Sequence, residues 1–241
     1  MTYRDSPFQT ARPDEAPLPA LQGKTAIVAG AGSDIGRRIA LLFAREGANV
    51  IVADGHGTAG EETVAAIEAA DGRACLYPGN AMDPKYHLGL AAFARHRYGW
   101  LDIAVNNAWI SSPPKRLAGN PHANWGDAAA ANLSAALHAV RAQIPPMIAA
   151  GGGVIVNLAG TGAAGARSAS TQGLIGLTKD IAAQYSGQGI RANVIVPSCI
   201  DAGDCLEMVG EIAQVALFLA CPKSRFINGV CLPVSGAKLA Q

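Results

Sequence analysis

The sequence lacks an excess of either charge. Its 241 residues include 19 Lys and Arg and 18 Asp and Glu, which gives a formal net charge of +1. Binding to nucleic acid or to an anionic membrane through charge needs a basic surface, so we expect neither partner. No stretch of transmembrane length is free of Gly and charge, and residues 1–20 contain no apolar signal-peptide core. We therefore expect a cytoplasmic protein.

The sequence also lacks the spacings of a metal site. Its five cysteines form no CxxC pair, and none of its five histidines lies at ligand spacing beside them. We expect reduced, structural thiols and no bound metal.

What the sequence does contain is a regular alternation of short apolar runs and Ala-rich segments with helical periodicity. The runs predicted as buried strands are KTAIVAG, ANVIVAD, ACLYPGN, LDIAVNNA, GGVIVNLAG, IRANVIVPS and GVCLPVSG. The segments predicted as helices are DIGRRIALLFAREG, TAGEETVAAIEAADG, YHLGLAAFARHRYG, NWGDAAAANLSAALHAVRAQIPPMIAAG, STQGLIGLTKDIAAQYSGQG and EIAQVALFLA. This alternation predicts an α/β fold, a parallel sheet with helices on both faces. We expect a single domain at 21–241 after a flexible, Pro-rich arm at 1–20.

A glycine-rich turn follows the first predicted strand. Gly30, Gly32 and Gly36 lie in AGAGSDIG, where a helix begins. Glycines allow the backbone to approach a ligand closely, and the amides of a helix N-terminus bind a pyrophosphate. Asp54 ends the second predicted strand, where a carboxylate accepts both ribose hydroxyls of adenosine and repels a 2′-phosphate. No Arg adjoins Asp54, so NAD is favoured over NADP.

From Leu21 to about Ala237 the chain resembles the short-chain dehydrogenase/reductase family. The stretches that carry the resemblance are AGAGSDIG, GWLDIAVNNA, AANLSAALHAVRAQIPPMIAAGGGVIVN, GLIGLT, GIRANVIVP and FINGVCLPVSG. The resemblance implies a Rossmann-type doubly wound sheet of about seven parallel strands. It also implies a tetramer, built on the fourth and fifth helices and the C-terminal strand.

The resemblance further implies a catalytic Tyr, Lys, Ser and Asn, and most of these are replaced. Aligned on GLIGLT, the Tyr position is Arg167 and the Lys position is Thr171, and aligned on IVN the Ser position is Gly160. Arg stays protonated and has no acceptor, so it cannot serve as a base. Of the four, only Asn132 is retained.

Other positions that the resemblance places beside the cofactor also depart from the family. Trp109 replaces the glycine of NNAG, Asp34 replaces the middle glycine of the turn, and Asn80 stands where an acidic residue contacts adenine. We expect Trp109 to crowd a nicotinamide riboside, and Asp34 to act as a substitute for a bound anion at the helix N-terminus. The cofactor-binding positions, vestigial or weak, are Gly30, Gly32, Asp34, Ile35, Gly36, Asp54, Asn80, Asn107, Trp109 and Ile200.

Three functions fit this pattern. The first is a catalytically inactive subunit that supports an active paralogue in a heterotetrameric NAD-dependent alcohol or hydroxyacyl-CoA dehydrogenase. The second is an active NAD-dependent short-chain alcohol dehydrogenase or ketone reductase with a non-standard proton donor, acting as a homotetramer. The third is an NAD-sensing regulator. In the inactive subunit, the cofactor pocket could bind NAD or be empty. No residue of the sequence identifies the substrate.

Overall fold

The computed structural model of the protein describes residues 18–107, 130–159, 166–197 and 205–234. Of the predicted arm at 1–20, all but Leu18, Pro19 and Ala20 lies outside these residues, so its flexibility stays a prediction. Ala20 and Leu21 are held by Glu46, whose carboxylate accepts from the Ala20 amide at 2.9 Å and whose carbonyl accepts from the Leu21 amide.

Seven strands in the described part of the chain form one parallel sheet. They are β1 (Thr25–Ala29), β2 (Asn49–Asp54), β3 (Arg73–Pro78), β4 (Ile103–Asn106), β5 (Gly153–Leu158), β6 (Ile190–Pro197) and β7 (Cys231–Val234). Their order across the sheet is β3-β2-β1-β4-β5-β6-β7. The strand order reverses between β1 and β4, and doubly wound sheets bind ligands at the carboxyl ends of such a pair. The predicted fold class is confirmed.

Helices cover both faces of this sheet. They are α1 (Asp34–Arg45), α2 (Gly57–Glu68), α3 (Pro84–Tyr98), α4 (Ala135–Ala149), α5 (Ala166–Tyr185) and α6 (Cys205–Ala220). Alternate residues of β1 point to opposite faces. Val28 packs in one core with Phe43 of α1 and Ile212 of α6, whereas Ile27 packs in the other with α3, α4 and α5. Both faces of the sheet are therefore buried, as its uninterrupted apolar strands require.

Capping residues fix where the helices begin. Ser33 caps α1 by accepting from the Gly36 amide at 3.3 Å. Asp83 caps α3 by accepting from the Lys85 amide, with Pro84 as the first helical residue. Proline suits that position because the first amides of a helix have no helical acceptor. The apolar periodicity alone placed the start of α3 two residues too late.

The helix before β5 is not uniform. The sequence predicts one helix over 124–151, whereas the structure has a π-helical turn at Ala130–Ser134 that continues into α4, and 124–129 lie outside the described residues. Leu133 of this turn contacts α5 so closely that a Cβ at Gly173 would lie 2.8 Å from its Cδ2. Asn132 is therefore carried on a widened turn between two packed helices, a feature common at functional sites.

Candidate functional site

The glycine-rich turn lies at the carboxyl end of β1, as predicted. Gly30 has a φ of +62°, and a Cβ there would collide with the carbonyl of Asn107. A Cβ at Gly32 would lie 2.9 Å from Asp54 Oδ2, and one at Gly36 would collide with the Gly30 carbonyl. All three glycines are needed for close backbone approach, which is the geometry that admits a pyrophosphate beside a helix N-terminus.

Asp54 lies against this turn, at the end of β2. Its side chain is only 8% exposed, and Oδ2 accepts from the Gly32 amide at 2.7 Å while Oδ1 accepts from the His56 amide at 2.8 Å. A carboxylate has about four lone-pair sites, so both oxygens retain capacity for a ribose diol. The turn and Asp54 thus fit the adenosine half of a dinucleotide.

Asp34 is in the first turn of α1, where a carboxylate interacts favourably with the helix dipole. Its side chain is exposed and forms no hydrogen bond or ion pair with other residues in the described part of the chain. The carboxylate that accepts from an amide of the glycine turn is that of Asp54, which sequence reasoning had assigned to the ribose alone. Ile35, beside Asp34, is half-buried against the α1 core.

Asn107 closes the turn from the neighbouring strand. Its amide is 5% exposed and donates to Ser33 Oγ at 3.2 Å, and Ser33 in turn donates to the Gly30 carbonyl at 2.6 Å. Asn107 therefore joins β4 to the start of α1. Sequence reasoning missed Ser33, although a serine directly before a helix is a capping signal.

Asn80 lies in the turn between β3 and α3, on the same edge of the sheet. Its exposed side chain folds back, so that Oδ1 accepts from the Met82 amide at 2.9 Å, and its carbonyl accepts from the Asp83 amide at 3.0 Å. A second lone pair on Oδ1 stays available for an adenine amine. The Gly79 amide donates to the Asp54 carbonyl, which joins this turn to the ribose position.

A buried chain of uncharged polar groups runs beneath the site. Asn106 and Gln143 form two hydrogen bonds, at 3.2 and 2.8 Å, and Asn106 also donates to Asn157 at 2.9 Å. Asn157 donates to Thr178 Oγ1 at 2.9 Å, and Thr178 donates to the Leu174 carbonyl at 2.7 Å. These hydrogen-bonded side chains connect β4 and β5 to α4 and α5. No sequence signal identified Gln143, which lies among apolar residues of α4.

Helix α5 contains both positions of the missing catalytic pair. The Arg167 backbone belongs to its first turn, but the Arg167 side chain lies outside the described residues, as do Trp109, Gly160 and Ile200. Thr171 is half-buried one turn later, and Asn132 is half-buried on the adjacent π-helical turn. The structure therefore describes the adenosine half of the predicted site, whereas most predicted contacts to the nicotinamide and substrate stay predictions.

Among the helices of the described ranges 18–107, 130–159, 166–197 and 205–234, none combines the length and the apolar composition of a membrane span. No cluster of three or more His, Cys, Asp or Glu there could hold a metal ion. Cys75, Cys221 and Cys231 are free thiols.

The chain matches a family of known proteins. The model of the family described as short chain dehydrogenase matches residues 24–211. This range begins just before β1, includes the glycine turn, Asp54 and the whole of α5, and ends within α6.

Individual relatives match over nearly the whole length. Cyclohexanol dehydrogenase of Acinetobacter sp. (strain SE19) is 33% identical over 236 residues, which cover 89% of this chain and 94% of the relative. D-threitol dehydrogenase of Mycolicibacterium smegmatis is 30% identical, with 90% of this chain and 93% of the relative covered. The crystal structure of a short-chain dehydrogenase/reductase from Burkholderia xenovorans superposes with a TM-score of 0.86 at 31% identity, covering 92% of this chain and 98% of that one.

Proposed function

The chain belongs to the short-chain dehydrogenase/reductase family, and on that premise we propose that it is a catalytically silent subunit of an NAD-dependent dehydrogenase. In this proposal it assembles with an active paralogue that acts on an alcohol or a hydroxyacyl-CoA. The proposal is supported by the packing of α5, which is kept, and by Arg167 and Thr171, the residues that the alignment on GLIGLT matches to the family's Tyr and Lys.

The packing of α5 depends on residues other than that pair. Thr178 is fully buried and bonded to Asn157 of β5, and Leu174 lies in a small core with Ala136 and Val194. Gly173 permits the close approach of Leu133. These contacts support a helix retained as a structural and assembly element.

The proton-transfer chemistry has no replacement on the same helix. Lys179 follows Arg167 by about 18 Å along the axis, and Tyr185 by about 27 Å, at the rise of an α-helix. Neither side chain reaches the first turn. Loss of a general acid/base alone costs about 10²- to 10⁴-fold in rate, and here the lysine that would lower the pKa of a tyrosine is replaced as well.

NAD, when bound, supplies the group that exchanges hydride with a substrate carbon. In this chain the turn at Gly30, Gly32 and Gly36 would bind the pyrophosphate, and Asp54 would accept from the adenosine ribose. Because the adenosine half of the binding site is intact, it supports a subunit that binds NAD as a structural ligand and does not carry out hydride transfer. The NAD-sensing regulator differs from this only in responding to the dinucleotide by a change of shape.

The second candidate is an active NAD-dependent alcohol dehydrogenase with another proton donor. It is favoured by relatives named as dehydrogenases of cyclohexanol and D-threitol, which match about nine tenths of the chain. In that case Arg167 would orient a water or an anionic substrate group, since a guanidinium only donates hydrogen bonds.

Native mass spectrometry of the tagged chain, purified from its native host, separates these candidates. A complex with a second dehydrogenase subunit that has an intact Tyr and Lys is the expected result. A homotetramer that binds NAD and oxidises cyclohexanol on its own contradicts the silent-subunit proposal and supports the second candidate. A homotetramer that binds NAD without turnover supports the regulator.

A further inference from the structure

We infer that His87 is a positioning residue for the adenine end of the dinucleotide site, because its imidazole holds the Ala81 carbonyl and thereby fixes the Asn80 turn. The inference rests on the NAD-binding part of the proposed function. It concerns a residue of α3 that the sequence analysis did not identify.

His87 is buried, but its two ring nitrogens differ from what a residue that only fills the core would show. Its side chain is 5% exposed, and Nε2 lies 2.8 Å from the Ala81 carbonyl, which only a protonated Nε2 can engage. Nδ1 has no hydrogen-bond partner among the described residues. Burying an unpaired nitrogen lowers stability, and an apolar side chain would avoid that loss. The polar contact to Ala81 is the feature that distinguishes His87 from a core residue.

The carbonyl that His87 holds belongs to a short, closely bonded turn. Ala81 directly follows Asn80, whose side chain and carbonyl accept from the Met82 and Asp83 amides. Gly79, on the other side of Asn80, donates to the Asp54 carbonyl. The turn is thus fixed to the ribose position at one end and to α3 through His87 at the other, and Asn80 lies between these two attachments.

The surroundings of the ring favour its neutral form. Tyr86 packs edge-on at 5.3 Å between centroids and donates from its hydroxyl to the Tyr77 carbonyl. Besides Tyr86, the titratable groups among the described residues that act on His87 are His138 of α4 and Asp83 of the turn. Burial lowers the pKa of His87, with His138 acting in the same direction and the Ala81 carbonyl and Asp83 opposing it. Protonation would place an N–H at Nδ1 where the described residues offer no acceptor, and this would loosen the turn.

The test compares His87→Leu, His87→Gln and the full wild-type chain, with His96→Gln as the matched control because His96 is exposed on the same helix. Isothermal titration calorimetry with ADP-ribose and with nicotinamide mononucleotide measures the two halves of the site separately. We expect His87→Leu to raise the Kd of ADP-ribose about three- to tenfold, the equivalent of one lost hydrogen bond. The Kd of nicotinamide mononucleotide should not change.

Two further readouts separate positioning from stability. A Gln side chain offers an amide donor at a similar reach, so His87→Gln should restore most of the ADP-ribose affinity. Hydrogen exchange at the Met82 and Asp83 amides, measured without nucleotide, should be faster in His87→Leu than in wild type. As the pH falls towards the lowered pKa of the buried His87, the Kd of ADP-ribose should rise in wild type and stay flatter in His87→Gln.

If His87→Leu lowers the melting temperature but leaves the ADP-ribose Kd unchanged, the inference is wrong and the NAD-binding proposal stands. If wild type binds no ADP-ribose, the NAD-binding proposal is wrong and the adenine role of His87 falls with it. Faster amide exchange would then still assign His87 to the turn alone.

Discussion

At the residue scale, the proposed loss of activity rests first on two positions of α5. The alignment on GLIGLT matches Arg167 and Thr171 to the family's Tyr and Lys, and both lie in a helix whose later residues are well packed. We expect wild type to show no turnover, whereas Arg167→Tyr combined with Thr171→Lys should raise the rate of NADH formation from a secondary alcohol at least tenfold above background. Both changes are needed because the lysine lowers the pKa of the tyrosine.

The control for this gain is Arg167→Phe with Thr171→Lys, which supplies the ring and the ammonium but no phenol. Equal rates in the two double variants would rule out the phenol as the proton donor. Turnover by wild type alone would favour the second candidate function. The measurement is absorbance of NADH under saturating alcohol.

In the proposed NAD site, Asp54 is the residue that we expect to set the preference for NAD over NADP. Asp54→Ala removes an acceptor for the ribose hydroxyls and the partner of the Gly32 amide. We expect the Kd of NAD to rise about 10- to 100-fold, as for a lost hydrogen bond to a charged group, and the preference over NADP to shrink. Calorimetry with both dinucleotides measures this, and Glu68→Ala, at an exposed position of α2, is the control.

His87 also makes the free energy of unfolding depend on pH. Its pKa is lowered in the folded state by burial, so the unfolded chain binds the proton more readily. The free energy of unfolding keeps its full value above about pH 6.5, the ordinary pKa of His. It falls as the pH decreases from there towards the lower pKa of His87 in the folded protein. Urea unfolding at several pH values should show a smaller acid loss in His87→Gln than in wild type. An identical slope in the two proteins would contradict the assignment.

At the element scale, the chain of amides beneath the site fixes how strands and helices meet. Gln143→Leu removes the double hydrogen bond to Asn106 and leaves a buried amide short of partners. We expect a loss of about 1–3 kcal/mol in the free energy of unfolding. Urea denaturation measures it, and Gln172→Leu, exposed on α5, should change stability by much less. Equal losses would mean that the amide pair contributes nothing specific.

The elements themselves show what the sequence predicts well and what it does not. Strands such as β2 are continuous apolar runs between polar turns, so their placement follows from hydrophobicity alone. The start of α3 depends on Asp83 and Pro84, which periodicity does not register. Gln143 was missed because its partner, Asn106, is 37 residues away in the sequence. His87 was missed because its partner is the carbonyl of Ala81, a backbone group that no side-chain pattern identifies.

The sequence predicts the part of the candidate site that is formed by glycines and one carboxylate. Gly30, Gly32 and Asp54 meet as expected because consecutive parallel strands bring their carboxyl ends to one edge. The second role of Asp54, as acceptor for the Gly32 amide, depends on a distance between two loops. The packing of the folded protein sets such distances between loops, so a local sequence pattern does not predict them.

At the scale of the whole molecule, assembly is the property that the proposed function requires. Leu137 of α4 is 41% exposed, on a helix that the family resemblance places in a subunit interface. We expect Leu137→Glu to convert the assembly to smaller species, because a charge cannot be buried unpaired in an interface. Native mass spectrometry measures the mass. Leu88→Glu, at a 61% exposed position on α3, should leave it unchanged.

The hydrogen bond from Asn157 to Thr178 has an evolutionary consequence. It anchors α5 to the sheet several residues away from positions 167 and 171. The residues that fix the helix are therefore different from the positions that the family uses for catalysis. After a gene duplication, mutations at the reactive positions would therefore escape any selection that acts through folding. One copy could lose its chemistry in a few steps and continue to assemble with the other.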